Sequence, residues 1–295
     1  MQLQFYDEIP NFGDALNPLL AEKLFGSTLQ GPSSDRLLLI GTIIGRHAPD
    51  GTHEHIIGAG AGYKRGHYSV ANRTIYALRG PITCDLLGLS RDYAAIDPGI
   101  LVSRFFTEAH PTGVAFMPHH KSHDRAGWFL EAACRQLNIT YISPLEETTA
   151  TLAKIAGAEQ LITEALHGAV TAESYEVPWT PVVFSHNVLS AKWHDFAATI
   201  GTRYAPVDIS TNLSFDAKIH IGNRIKYALR RVGLGKEKYK YLPVRKLNND
   251  SLASFMRLLT AAINSAPVRS DRQQKMRSVE RLDKGIGRFN ELWGH

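Results

Sequence analysis

The chain has 295 residues, of which 44% are hydrophobic and 21% charged, with a formal net charge of +5. That composition excludes a disordered protein and provides for one or two ordinary cores, with two α/β sub-domains as the natural division. The two cysteines, Cys84 and Cys134, are too few and too isolated for a disulfide framework or a zinc knuckle and are expected as reduced, buried thiols.

The first strand is expected over residues 3–6, bracketed by Leu3, Phe5 and Ile9, and a helix over 18–26. Asn17 reads as the N-cap and Pro18 as the first helical residue, where a missing N–H costs nothing. Leu19, Leu20, Leu24 and Phe25 supply the apolar stripe. Asp14 is left in the loop before this helix, either facing a cleft or bonding its own backbone in an Asx turn. Further strands are expected over 37–40, 55–57, 75–78 and 93–96, with a helix over 81–89, and this alternation argues a mainly parallel sheet covered by helices.

The glycines at 58, 60 and 62 invite a dinucleotide-binding reading, but the third glycine of G-x-G-x-x-G would fall at Tyr63, so an NAD site is rejected. Gly58 and Gly60 instead suit a backbone turn that approaches a ligand or a neighbouring strand. Arg79 sits where a strand ends and a helix begins. A guanidinium beside unpaired helical N–H groups holds a carboxylate or phosphate through two parallel bonds; the alternative is a surface arginine paired with an acid such as Asp97.

Residues 109–112 are short, polar and broken by a proline, as a linker would be. Beyond them a second βαβ series is expected, with strands over 113–117, 140–142, 160–163 and 182–184 and helices over 125–136, 148–156 and from His167. His119, His120 and His123, with Lys121, follow the first of these strands at the carboxyl edge where α/β proteins bind ligands. No Cys, Asp or Glu accompanies them at zinc spacing and H-E-x-x-H is absent, so contacts to a substrate are expected ahead of metal ligation. The segment from Glu164 to Glu173 places His167 at a strand-to-helix junction, where unpaired N–H groups and the positive end of the helix dipole favour an anion. That pairing suits acid/base chemistry on a phosphorylated or carboxylated substrate; the plainer reading is a histidine packed between helix and sheet.

From residue 216 onward there are 18 Lys/Arg and 7 Asp/Glu, a net charge of +11. The basic stretch 224–246 carries Tyr227, Tyr239 and Tyr241 and suits weak contact with an anionic membrane face; no nucleic-acid motif accompanies it, so nucleic acid is not an expected partner. Leu252, Phe255, Leu259 and Ile263, then Leu282, Ile286, Phe289 and Trp293, give two helical stripes. No stretch has the apolar length of a membrane span, and residues 1–5 lack the features of a signal peptide, so a cytoplasmic location is expected, peripheral to the inner membrane face if the basic stretch docks there. The expected organisation is α/β: two Rossmann-like domains, 1–108 and 109–215, facing each other across a cleft, and a basic helical segment, 216–295.

The motifs Asn11 to Pro18, Arg79 to Thr83, Asp97-Pro98-Gly99 and Leu166-His167-Gly168, in this order and spacing, resemble the polysaccharide pyruvyl transferase family over roughly the first two-thirds of the chain. Residues 38–42, 57–60, 177–179 and 192–196 support the resemblance. One position departs from it: many members carry an arginine two residues before the motif histidine, where this chain has Ala165. The resemblance implies a glycosyltransferase-B-like arrangement and transfer of the pyruvyl group of phosphoenolpyruvate onto two hydroxyls of one sugar, forming a cyclic ketal in exopolysaccharide biosynthesis. No cofactor or metal is implied beyond phosphoenolpyruvate as donor, and the acceptor is an oligosaccharide, free or lipid-linked. His167 is then the acid or phosphate contact, Arg79 the anion clamp, and Asp14 or Glu164 the hydroxyl-activating carboxylate. Asn11, Gly13, Gly58, Gly60, His119, His120, Lys121, Leu166 and Gly168 are the expected substrate contacts, with Lys121 or Arg104 as further sources of positive charge. Two other classes compete: a metal-independent nucleotide-sugar glycosyltransferase with Glu173 on the ribose, and a non-enzymatic carbohydrate-binding assembly protein.

Overall fold

A computed structural model describes residues 1–7, 11–26, 29, 34–45, 51–62, 68–185, 188–210 and 249–293. The protein is α/β, with two all-parallel sheets. The first holds β1 (Gln2–Gln4), β2 (Arg36–Leu38), β3 (Glu54–Ile57) and β4 (Arg73–Ala77) in that spatial order. The second holds β5 (Gly113–Met117), β6 (Thr140–Tyr141), β7 (Ala158–Thr163), β8 (Trp179–Val183) and β9 (Val207–Asp208) in the order β6-β5-β7-β8-β9. The strand order therefore reverses between β5 and β7. In open parallel sheets the crevice beyond the carboxyl ends of two such strands is where ligands bind.

Helix α1 (Phe12–Phe25) starts a turn and a half earlier than the sequence suggested. Asn11, not Asn17, is the N-cap, and its side chain accepts from the Asp14 N–H. Pro18 lies inside the helix, where it has no N–H for the Asp14 carbonyl. Asn17 makes up the loss: its Nδ2 donates to the Asp14 carbonyl at 3.1 Å, while its Oδ1 accepts from Ile40 N at 2.9 Å. The proline is thus tolerated because its neighbour supplies the missing donor and ties the helix to the end of β2.

Helix α2 (Pro81–Leu87) follows β4, and α3 (His120–Gln136), α4 (Thr148–Ala156), α5 (Leu166–Ser174) and α6 (Ser190–Thr199) alternate with the strands of the second sheet. The strand expected over 93–96 is reduced to a single bridge, Leu78 to Ala94. After it comes an unanticipated 3-10 turn, Pro98–Arg104, packed on α5 and α1. Residues 109–112 link the two sheets and are themselves held, His110 N donating to Ala153 O and Thr112 N to Gly157 O. Of the C-terminal helices, α7 (Asn249–Ile263) lays Phe255 and Leu259 on Phe116, Ile162 and Val182 of the second sheet. By contrast α8 (Arg272–Trp293) crosses back to the first sheet. There Phe289 meets Phe25 at 5.0 Å and Tyr76 at 5.4 Å, and a Cβ at Gly285 would stand 3.0 Å from the Tyr76 carbonyl oxygen.

One apolar core runs between the sheets, joining Leu16 and Leu20 of α1, Ile96, Leu101, Val170 of α5, and Trp193 and Phe196 of α6. Each such side chain contributes roughly 1.5–3 kcal/mol on burial, which holds the carboxyl ends of both sheets in fixed register. Cys84 and Cys134 are buried free thiols, each pushed up to about 12 by burial. No helix among the described residues is long and apolar enough to cross a membrane. The basic stretch 224–246 lies outside the described residues.

Candidate active site

The carboxyl ends of β5 and β7, the first turns of α1 and α5, and the first turn of α6 bring together the residues with chemistry to offer. His167 is the second residue of α5, whose start no side chain caps. Leu166 and Gly168 on either side of it face inward: Leu166 is buried, and a Cβ on Gly168 would stand 2.7 Å from Thr163 Oγ1. They fix the helix on β7 so that the histidine between them projects the other way. Its ring lies against Gly13 in the first turn of α1, where a Cβ would stand 1.9 Å from the imidazole Nδ1. On its other edge Nε2 is 3.5 Å from Asp97 Oδ2. Burial alone would raise the Asp97 carboxyl, but His167, the Gly99 N–H and Arg79 outweigh it and hold Asp97 below its ordinary value.

Asp14, half-buried one position after Gly13, accepts from Asn11 Nδ2 at 2.6 Å through one oxygen. Its other oxygen faces Gly41. Asn11 therefore has two tasks, capping α1 and orienting the carboxylate that the helix start presents.

Arg79 is not a surface residue, and the acid it pairs with is Asp195 rather than Asp97. It is 1% exposed; Nε donates to Asp195 Oδ2 at 3.2 Å, Nη1 to Thr42 Oγ1 at 2.7 Å and Nη2 to the Ala61 carbonyl at 3.4 Å. Asp195, from α6, also accepts from Ile82 N, Thr83 N and Thr83 Oγ1. The anion at the start of α2 is thus supplied by the protein itself, since the N-cap there, Gly80, has no side chain. Gly60 makes room for this guanidinium, and Gly58, at φ +86°, for the ring of Pro98. Both glycines expected to touch substrate instead permit close packing of the protein on itself.

Glu164 is likewise withdrawn from the role of hydroxyl-activating carboxylate. It is fully buried, and it accepts from Phe184 N, Ser185 N and His119 N, stapling the ends of β7, β8 and β5 together. Asp14 is the carboxylate of the two that retains access.

His119, His120 and Lys121 stand at the carboxyl edge of β5, as the sequence suggested, but α3 already starts there rather than at 125, and the two rings are 4.3 Å apart. Burial, then Lys192, His120, Lys121 and Arg125, hold His119 well below its ordinary value, and burial with Lys121 and Lys192 brings His120 to about 4. Lys192 is the residue that local motifs did not single out. It lies one turn before Asp195 on α6, on the face that Asp195 turns to Arg79. Burial, then Arg79, lower it to about 8, with Lys121 acting the same way and Asp14 and Asp97 opposing. Its position among Asp14, Lys121, His119 and His120 follows from tertiary packing alone; the legible signal was that 192–196 belonged to the resemblance. Arg104, by contrast, pairs with Asp283 at the surface, and Glu173 is occupied by Trp179, Ser270 and Lys275.

Among the described residues no group of three or more His, Cys, Asp or Glu is placed to hold a metal ion. A pocket of about 390 Å³ lies elsewhere, under the end of α8, between His53, His55 and Trp293. Its polar groups answer one another, His53 with Thr74 at 2.8 Å and His55 with Tyr76 at 3.3 Å.

The chain is 32% identical over 215 residues to the succinoglycan biosynthesis protein ExoV of Rhizobium meliloti (strain 1021), an alignment covering 71% of this chain and 67% of the relative. The chain belongs to the polysaccharide pyruvyl transferase family. It is a transferase, and its general activity is pyruvyl transfer in exopolysaccharide biosynthesis. No family model matches the chain, and no solved structure does. Within this pyruvyl transferase the motif stretches converge: Asn11 to Asp14, Asp97 to Gly99 and Leu166 to Gly168 meet around one imidazole, while Arg79 to Thr83 and Asp195 form the buried pair beside it.

Proposed function

We propose that the protein transfers the pyruvyl group of phosphoenolpyruvate onto two hydroxyls of one sugar of an oligosaccharide acceptor, releasing phosphate and leaving a cyclic ketal. The observation that carries this reading is the juxtaposition of a histidine at the open start of α5, a half-buried carboxylate at Asp14, and the cations Lys192 and Lys121. A trianionic donor needs positive charge for its carboxylate and phosphate, an acid for its methylene carbon and a base for the acceptor hydroxyls.

His167 gives a proton to the methylene carbon, whose π pair forms the new C–H bond and leaves an oxocarbenium-like centre at the carbon bearing the phosphate oxygen. A sugar hydroxyl adds there and yields its proton to Asp14. The C–O bond to phosphate then breaks, and the second hydroxyl closes the ring. Two hydroxyl protons balance the one delivered to carbon and the one leaving with phosphate. Lys192 and Lys121 take the anion-clamping role that the sequence suggested for Arg79, whose donors serve the protein itself. The neutral imidazoles of His119 and His120 offer hydrogen bonds without adding charge. With the ligating edges of both sheets turned to one site, we read the architecture as glycosyltransferase-B-like and the first 108 residues and the next 107 as its two domains.

Incubating the protein with phosphoenolpyruvate and lipid-linked or free oligosaccharides, and following phosphate release with the acceptor's mass, tests the reading. Phosphate release matched by one pyruvylidene group on the acceptor is expected. His167→Ala should keep the fold and lose about 10²–10⁴-fold in turnover. Release of nucleotide from a nucleotide sugar, with none of phosphate, would overturn the proposal.

A further inference from the structure

Asp97 and His167 form a closed pair. The Asp97 carboxylate has no solvent exposure; Oδ1 accepts from Gly99 N at 3.0 Å, and Oδ2 points at His167 Nε2, 3.5 Å away. Both Oδ2 and Nε2 are sealed from solvent and neither has another hydrogen-bonding partner. In a dry site a carboxylate oxygen accepts only if the facing nitrogen carries a hydrogen, and the reverse arrangement would set two lone pairs against each other. Nδ1 lies beside Gly13, whose missing side chain leaves room at that edge of the ring, and 16% of the histidine side chain remains exposed.

A second consideration points the same way. The positive end of α5 opposes a cationic ring at its first turn, so an acid placed there needs a compensating anion. Asp97 supplies it from the interior, on a turn that Pro98 and the Gly99 N–H make rigid.

We propose that Asp97 is a positioning residue that keeps the hydrogen of His167 on Nε2, so that Nδ1 is the atom that delivers the proton to the methylene carbon. In the step the Nδ1–H bond breaks, the new C–H bond takes the donor's π electrons, and the ring returns to neutrality with Nε2–H still directed at Asp97. The inference rests on the reading of His167 as the acid, and the experiment separates the two.

Ring-¹⁵N-histidine NMR of the wild-type protein reads the tautomer of neutral His167 directly, with His167→Gln assigning the resonance. The expected result is hydrogen on Nε2. In Asp97→Asn the side-chain amide can donate to Nε2, so the ring should shift to the Nδ1–H form, and kcat should fall at least tenfold with little change in KM for phosphoenolpyruvate. A wild-type ring protonated on Nδ1 overturns the proposal without any variant, as does an Asp97→Asn protein with unchanged tautomer and lost turnover. A shifted tautomer with full turnover would uphold the pair but overturn His167 as the acid. A general structural role for Asp97 would lower the melting temperature without moving either nitrogen resonance.

Discussion

Asp195 on α6 and Arg79 at the end of β4 meet at 3.2 Å with both side chains buried, 116 residues apart in sequence. The contact fastens a helix of the second sheet's half to a strand of the first, and it neutralises a guanidinium that Gly60 leaves in contact with backbone. Removing one partner of such a pair strands a buried charge and costs about 3–5 kcal/mol. Asp195→Ala should lose stability of this order in urea unfolding. Arg79→Lys should also be less stable, since an ammonium cannot bridge Asp195, Thr42 and Ala61 at once. Normal unfolding of Arg79→Lys with selectively weakened donor binding would return Arg79 to the substrate.

Lys192 should give the proposed donor site its own pH dependence. With its value lowered to about 8, the side chain is cationic below that pH and neutral above it. Affinity of the free enzyme for phosphoenolpyruvate should therefore decline as pH rises through about 8. Lys192→Met should bind about 10–100-fold more weakly near pH 7, the equivalent of one charge-assisted hydrogen bond of about 1.5–3 kcal/mol, and should lose the pH dependence. A wild-type KM that stays flat from pH 7 to 9.5 would remove Lys192 from the donor site.

The parallel sheets and most helices were legible because their signals are local: short apolar runs broken by Gly or Pro and alternating with helical stretches. The helix start at His167 was placed correctly for that reason, whereas α3 begins at His120, five residues before the expected 125. Pro18 misled because a proline in a helix normally marks its first turn, and the side-chain donor that rescues it here, Asn17, lay beside it looking like a cap. Glu164 and Arg79 were misread for a deeper reason. Both sit at the ends of strands where ligands bind, and only tertiary structure reveals that backbone N–H groups and Asp195 already occupy them. Lys192 reaches the site from a helix whose own pattern gives no hint of it.

His119 and His120 should make the protein acid-sensitive above the carboxylate range. Both are held below the ordinary histidine value of about 6.5. Between that value and the folded one the unfolded chain binds more protons than the native protein, so stability is lost as pH falls from about 6.5 toward 4. The loss is at most about 1.4 kcal/mol per pH unit for each proton. Urea midpoints at pH 7 and pH 5, compared between wild type and a His119→Gln, His120→Gln double variant, check this: the variant's midpoint should move less. Asp97, held below its ordinary value, adds its own loss only at pH lower than about 3.9.

Gly13 offers the sharpest separation of stability from turnover. Alanine is the better helix former by about 0.5–1 kcal/mol, which offsets part of the roughly 1–3 kcal/mol that overpacking costs. Its Cβ, however, would overlap Nδ1 of His167 and must push the ring away from the first turn of α1. A displacement of about 1 Å in a reacting group costs on the order of 10²-fold in rate. Gly13→Ala should therefore unfold within about 2 kcal/mol of wild type yet lose most of its turnover. The loss must pass through the imidazole, so in an otherwise identical background lacking it, His167→Ala, adding Gly13→Ala should cost almost nothing further. An additive double variant would mean that Gly13 serves the substrate directly, independently of His167.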